Sequence, residues 1–228
     1  LLASLPGCGS ILGIDDLHPT SIKGALSALD QDNVRNAKVV FFDRSGTKVG
    51  ETTTRDDGSY ELPLTGQLPV NGYFEVKDPR VVHTVSYLLT PALDRIENSH
   101  DIQTLTPEGF AELVAAAGMS QGATSWLVVA QVVDDQGSTA VGAKILSAAT
   151  EEDPTRQLGV CYSGRSGPDL TPCGGTSTGD DAFARIFDVP DSAALTISAV
   201  DADGGSHTIS FPTVGGPGLV FTPIPPAP

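Results

Sequence analysis

The chain repeats itself. Val34-Arg35-Asn36-Ala37-Lys38-Val39 recurs as Ala140-Val141-Gly142-Ala143-Lys144-Ile145. Each hexad follows an apolar stretch and a polar turn: Ser21 to Leu29 then Asp30-Gln31-Asp32-Asn33, and Trp126 to Val133 then Asp134-Asp135-Gln136-Gly137. Further on, Thr54-Arg55-Asp56-Asp57-Gly58 is answered by Thr178-Gly179-Asp180-Asp181-Ala182. The second copy carries extra residues between these landmarks, and Cys161 and Cys173 both fall among them. A chain built this way folds as two similar units.

The repeated unit is made of strands and tight turns. β-Formers dominate Lys38-Val39-Val40-Phe41-Phe42, and Tyr60-Glu61-Leu62-Pro63-Leu64 alternates as a half-buried strand does. Ser45-Gly46 and Asp57-Gly58 are hairpin-type connections, because Gly adopts positive φ without a steric penalty. Asn71-Gly72 opens Tyr73-Phe74-Glu75-Val76-Lys77, and Val81 to Leu89 supplies another strand. The second copy closes with Leu195 to Ala199, a turn from Asp201 to Gly205, then His207 to Phe211 and Leu219 to Thr222. Short strands at this spacing predict an all-β fold of two tandem antiparallel β-sandwiches.

A strand, a polar turn, a Val-x-Gly-Ala-Lys-Ile-like strand and then Thr-x-x-Asp-Gly-x-Tyr resemble the carboxypeptidase regulatory-like domains. These belong to the transthyretin-like (prealbumin-like) β-sandwiches. The first copy carries the motif in Thr54, Asp57, Gly58, Tyr60 and Leu62; in the second, Ala182 stands where Gly is usual. The resemblance covers about residues 20–105 and 125–223. It implies a structural fold and a non-enzymatic role with no fixed ligand.

One helix is expected between the copies, within a linker at 106–124. Thr106 caps its free N–H groups, Pro107 suits the first helical position and Glu108 complements the positive end of the dipole. Phe110, Leu113, Val114 and Ala117 share one face, and Gly118 suits the stop. This helix is expected to pack on a sandwich and set the angle between the units. The Pro-rich run from Thr222 to Pro228, with 224–228 as its tail, is expected to stay out of any sheet interior.

At the other end, an apolar run closes in Leu5-Pro6-Gly7-Cys8, which resembles the lipobox of bacterial lipoproteins, with Pro6 where a small residue is usual. The resemblance implies cleavage before Cys8 and a membrane anchor on Cys8, with 1–19 as leader remnant, lipobox and tether. An ordinary secretory leader with a chance Cys is the alternative. Composition fits an exported body. Asp and Glu number 28 against 13 Lys and Arg, a net charge of −15 in 228 residues, which repels nucleic-acid backbones and anionic lipid. No stretch after Cys8 reaches the roughly 18 apolar residues of a membrane-spanning helix. With Cys8 set aside, Cys161 and Cys173 form an even pair in a loop rich in Gly, Ser and Pro, which in an oxidising compartment reads as a disulfide. A metal pair is the competing reading, although no His or further Cys lies nearby to complete it.

The search for chemistry finds no constellation. His18, His83, His100 and His207 are scattered, with no zinc-peptidase pairing, and His83 reads as a strand residue with a satisfied side chain. Ser163-Gly164-Arg165-Ser166-Gly167 lacks the strand–turn–helix setting of a nucleophile elbow. Gly215-Gly216-Pro217-Gly218 precedes a strand, not a phosphate-holding helix. The acidic turns Asp30/Asp32, Asp56/Asp57, Asp134/Asp135, Asp180/Asp181 and Asp201/Asp203 read as solvated turns, since calcium needs about six to eight converging oxygens. Aromatics are 6% of the chain and the single Trp126 begins a strand, so core packing is expected ahead of a sugar platform.

These readings converge on a non-catalytic interaction or scaffolding module of the bacterial envelope. It needs no cofactor or metal, binds no nucleic acid and has an envelope protein as partner, with the stapled 150–177 insertion as the presenting loop. A carbohydrate- or small-ligand-binding module is the second reading, and an enzyme the third.

Overall fold

The computed structural model describes residues 21–31, 33–64, 72–88, 99–134, 138–153, 155, 158–162, 173, 175–178, 183–191, 194–212 and 217–227. The first copy contributes β1 (Ser21–Ala28), β2 (Lys38–Asp43), β3 (Lys48–Thr53), β4 (Ser59–Pro63), β5 (Gly72–Val76), β6 (Thr84–Tyr87) and β7 (Ile102–Thr104). Helix α1 (Pro107–Ala117) follows. The second copy contributes β8 (Trp126–Val132), β9 (Lys144–Thr150), β10 (Gly159–Tyr162), β11 (Phe183–Val189), β12 (Ala194–Val200), β13 (Ser206–Pro212) and β14 (Gly218–Ile224).

The two copies share a wiring plan that extends well past the repeated hexads. Strand β1 runs antiparallel to β4 and parallel to β7; β8 does the same with β11 and β14. The series β2–β5–β6 is antiparallel, as is its counterpart β9–β12–β13. One strand departs. β3 pairs with β2, whereas β10 has moved to the other sheet and pairs with β11. The all-β, two-sandwich architecture with one short helix is the expected one. The parallel pairings are an addition that strand composition did not disclose.

The copies are fused through a single sheet. Its order is β10-β11-β8-β14-β6-β5-β2-β3, with β14 parallel to both β8 and β6 at the centre. The three-stranded sheet β4-β1-β7 covers one half and β13-β12-β9 the other. They lie on opposite faces, as adjacent residues of β5 reveal. Phe74 joins the core with Ile22, Leu26, Phe41, Tyr60 and Leu62, whereas Tyr73 joins the core of Trp126, Val128, Ile186, Leu195 and Ile197. Side chains alternate across a strand, so one sheet serves two cores.

The same threonine staple holds both copies. Thr54 accepts a hydrogen bond from the Ala37 N–H (2.9 Å) and donates one to the Val34 carbonyl (2.6 Å). Thr178 accepts from Ala143 N–H (2.9 Å) and donates to the Ala140 carbonyl (3.4 Å). The clasped turn needs a left-handed residue, supplied by Asn36 (φ 54°) in one copy and Gly142 (φ 75°) in the other. Asn and Gly are the residues that visit this region most readily.

Helix α1 begins and ends where its capping residues predict. The Thr106 hydroxyl accepts from Gly109 N–H (3.0 Å), and Gly118 closes the helix at φ 62°, its N–H donating to Ala115 O. Asp30 of the first copy accepts from both the Thr106 N–H and hydroxyl, tying the helix to the end of β1. Leu113 and the half-buried Phe110, Val114 and Ala117 then pack on Leu127, Phe187 and Leu219, on the face of the shared sheet that β13-β12-β9 leaves open. Among the described residues no helix is long and apolar enough to cross a membrane.

The Pro-rich end runs along an open flank of the sheet. Thr222 to Ile224 complete β14 beside β8, and Ala227 N–H donates to the Ser206 carbonyl (2.7 Å). Strand β6 pairs with β14 only at Leu219–Phe221. Pro223 therefore stands where one side of β14 has no ladder partner among the described residues, and its missing N–H interrupts no pairing there.

Candidate functional site

The joint between the copies leaves a hollow on the shared sheet. Beyond the reach of α1, a cavity of about 200 Å³ is floored by Val129 and Gln131 of β8, Phe221 and Pro223 of β14 and Ser86 of β6. Its walls are Phe183 at the start of β11 and His100, Asp101 and Gln103 beside and on β7. Alternation explains the floor. Val128, Ala130 and Val220 enter the core on the far side, so Val129, Gln131 and Phe221 face this one. β7 is held near the floor by the 2.7 Å hydrogen bond between the Thr84 and Thr104 hydroxyls.

His100 is the most constrained group here. Its Nε2 lies 2.9 Å from Ser86 Oγ, its ring stacks on Phe74 (4.8 Å between centroids, 11° between planes), and its carbonyl accepts the Tyr60 hydroxyl. Burial pushes its pKa down to about 4, against the opposite pull of Asp101. The imidazole is thus neutral at physiological pH. Burial also raises the Tyr60 phenol, which stays a donor. Asp101 sits at the exposed rim and accepts Ala25 N–H through Oδ1 (2.9 Å). Ser86 is 4% exposed. No carboxylate among the described residues hydrogen-bonds the His100 ring, so the Ser–His contact lacks the third group that orients a catalytic base.

The opposite face of the joint carries an aromatic row. Phe42 stacks on Tyr73 (5.4 Å), Tyr73 meets Tyr87 (5.4 Å) and Tyr87 meets Phe211 of the second copy (5.1 Å). A smaller hollow of about 70 Å³ between Arg44, Tyr73, Tyr87 and Phe211 lies along it. Near the row, His83 Nε2 contacts Glu75 Oε1 (2.8 Å) and its ring lies 4.9 Å from Trp126. Burial alone would raise the Glu75 carboxyl, but hydrogen bonds from His83 and Lys77 outweigh it and the net shift is downward. His83 is thus satisfied by a carboxylate, and Trp126 is fully buried.

The remaining sequence candidates do not meet. His207 is buried on the far hairpin, with Nε2 3.0 Å from Asp201 Oδ2 and no partner on Nδ1 among the described residues. Of the acidic turns, Asp30 caps α1 through Thr106, Asp32, Asp135, Asp180 and Asp181 lie outside the described residues, and three others use their oxygens locally. Asp57 accepts Ser59 N–H, Asp134 accepts Ser138 N–H, and Asp201 accepts the N–H groups of Asp203 and Gly205. Among the described residues, no three His, Cys, Asp or Glu converge as a metal site would require. Cys161 and Cys173 are joined as a disulfide with Cα atoms 5.2 Å apart. Cys8, His18, Ser163 to Gly167 and most of the insertion between the two cysteines lie outside the described residues.

Sequence reasoning named none of the cavity's polar lining as a site. Its one retrievable sign was in Phe221, at an alternate position of the last strand, but whether that face would be covered depended on where β14 inserts.

No protein-family model matches the chain, and no curated protein matches it. Among solved structures it is similar to the shaft pilin SpaA of Lactobacillus rhamnosus GG, at 11% identity over 92% of this chain and 98% of that one, TM-score 0.30. It is also similar to BcpA, the major pilin subunit of Bacillus cereus, at 7% identity over 91% and 99%, TM-score 0.29. The major pilin of Streptococcus pyogenes follows at 10% identity over 90% and 97%, TM-score 0.26. At such TM-scores the likeness carries no inference about function.

Proposed function

We propose that this chain is a non-catalytic interaction and scaffolding module of the bacterial cell envelope. In this reading a lipid on Cys8 anchors it and the double sandwich is held out toward an envelope protein. The observation that carries the reading is the shared sheet. With β14 hydrogen-bonded to β8 along its whole length and to β6 at Leu219–Phe221, the two sandwiches form one stiff body, suited to holding a surface at a fixed distance. The lipobox-like run supports export and anchoring, and the acidic composition fits an exported body. The Cys161–Cys173 staple supports the insertion as a presenting loop, since loops on rigid scaffolds commonly carry binding.

The anchor is tested with the native leader in place. Full-length protein partitions into detergent, because several acyl chains make release from a membrane very slow, and Cys8→Ser stays aqueous. Equal aqueous partition of both forms contradicts the anchor. The module is tested by chemical cross-linking in intact cells: a single envelope protein is captured, and deletion of 163–172 abolishes capture while both copies stay folded. Capture unchanged by the deletion contradicts the loop's role.

A further inference from the structure

We propose that the seam cavity is a binding site for one neutral sugar ring, such as the terminal unit of a glycan. This goes beyond the scaffold reading and does not depend on it. The argument begins with the lining. Ser86, His100, Gln103 and Gln131 present neutral polar groups, Asp101 a carboxylate, and Val129, Phe183 and Phe221 an apolar surface. Small-ligand sites have this makeup: an apolar body with a few convergent polar groups.

Charge narrows the class. No Lys or Arg is among the lining residues, and the chain carries a net charge of −15, so a phosphate or carboxylate ligand meets repulsion without a counter-ion. A purely apolar ligand would strip water from the amides, imidazole and carboxylate without replacing their hydrogen bonds. A polyhydroxylated ring replaces them. Its hydroxyls donate and accept, which suits carboxamides and a neutral imidazole, and a carboxylate accepts from adjacent hydroxyls. The ring's C–H face needs an aromatic surface, and Phe183 and Phe221, both half-buried, supply one. The volume of about 200 Å³ admits a single ring and excludes an enclosed oligosaccharide.

The site is also built before any ligand arrives. Ser86 holds His100, Phe74 supports its ring and Ala25 N–H orients Asp101. Pre-organised groups lose little freedom on binding. While the backbone of Gln103 pairs in the β1–β7 ladder, its carboxamide makes no hydrogen bond among the described residues and is available to a ligand.

The test is amide-shift mapping by NMR on the full 228-residue chain, titrated with methyl β-glucoside, methyl β-galactoside, methyl α-mannoside and N-acetylglucosamine. At least one is expected to bind with a Kd of about 1 mM or tighter. The perturbed amides should cluster at Ser86, Asp101, Gln103, Gln131 and Phe221. Gln103→Ala should weaken binding by about tenfold with an unchanged melting curve, and Phe221→Leu, which keeps the floor filled but removes the ring, should do the same. Tetramethylammonium and inorganic phosphate serve as controls. No shift with any of the sugars, shifts that map elsewhere, full retention in both variants, or tighter binding of either control each overturns the proposal. None of these outcomes bears on Cys8 or on cross-linking to a protein partner.

Discussion

Thr54 and Thr178 perform the same task in the two halves of the molecule: each hydroxyl bridges the backbone of the turn that precedes the second strand of its copy. Both are buried, and each partner N–H belongs to a fully buried alanine, Ala37 or Ala143. The repeat seen in the sequence is therefore a repeated hydrogen-bond device.

Removing that device is expected to cost stability in proportion to its geometry. Thr54→Val leaves the Ala37 N–H and Val34 carbonyl without their partner, a loss of about 1–3 kcal/mol. Thr178→Val should cost less, because its donated bond is already 3.4 Å long against 2.6 Å for Thr54. Urea unfolding of the two variants and of the Ser replacements checks this, with Ser restoring most of the loss. Valine variants as stable as the parent would contradict it.

The repeat, the strand content, the helix caps and the disulfide were legible because each rests on local chemistry. Thr106, Pro107 and Gly118 act within a few residues of their own positions, and so does the Asn36/Gly142 turn. The insertion of β14 between β8 and β6 was not legible, since nothing in Leu219 to Thr222 states which strands will flank it. The seam cavity follows from that insertion. Its lining comes from β6, β7, β8, β11 and β14, a set that no local spacing announces. The Pro-rich end was legible in part: Pro223 is excluded from a sheet interior, but its place on the open flank of β14 is set by tertiary pairing.

The disulfide should matter to the second copy more than to the first. Cys161 lies in the core beneath α1, and the bridge closes a segment of sequence separation 12. Chain-entropy reasoning gives about 3 kcal/mol for a loop of this size. Reduction should lower the melting temperature and increase hydrogen exchange first in β10 and β11. An unchanged melting curve after verified reduction would contradict this.

Acid should weaken the fold in a defined window. The pKa of His100 is about 4 in the folded chain against an ordinary value of 6.5, so between these values the unfolded chain binds more protons. Stability is then fully present above pH 6.5 and falls as the pH drops toward 4, by about 3 kcal/mol for a shift of this size. Asp30 acts lower down. Burial would raise its carboxyl, yet the Thr106 hydrogen bonds lower it overall, so its contribution is present above its ordinary value of 3.8 and lost as the pH falls through the depressed folded value. Melting temperatures between pH 7.5 and 4 should show a slope that His100→Gln flattens. The same slope in that variant would assign it to other groups.

The central claim is that β14 makes the two copies one body, and Leu219 tests it most directly. Its side chain is fully buried among Leu105, Leu113 and Leu127, and its N–H donates to the His83 carbonyl (2.8 Å). Leu219→Ala keeps that backbone bond and opens a cavity, at a cost of about 2–5 kcal/mol. Calorimetry with native-state hydrogen exchange should show one cooperative transition in the parent. In the variant, protection should fall in β5 and β6 of the first copy together with β8 and β14 of the second. Two separate transitions, with β5 and β6 as protected in the variant as in the parent, would contradict the account.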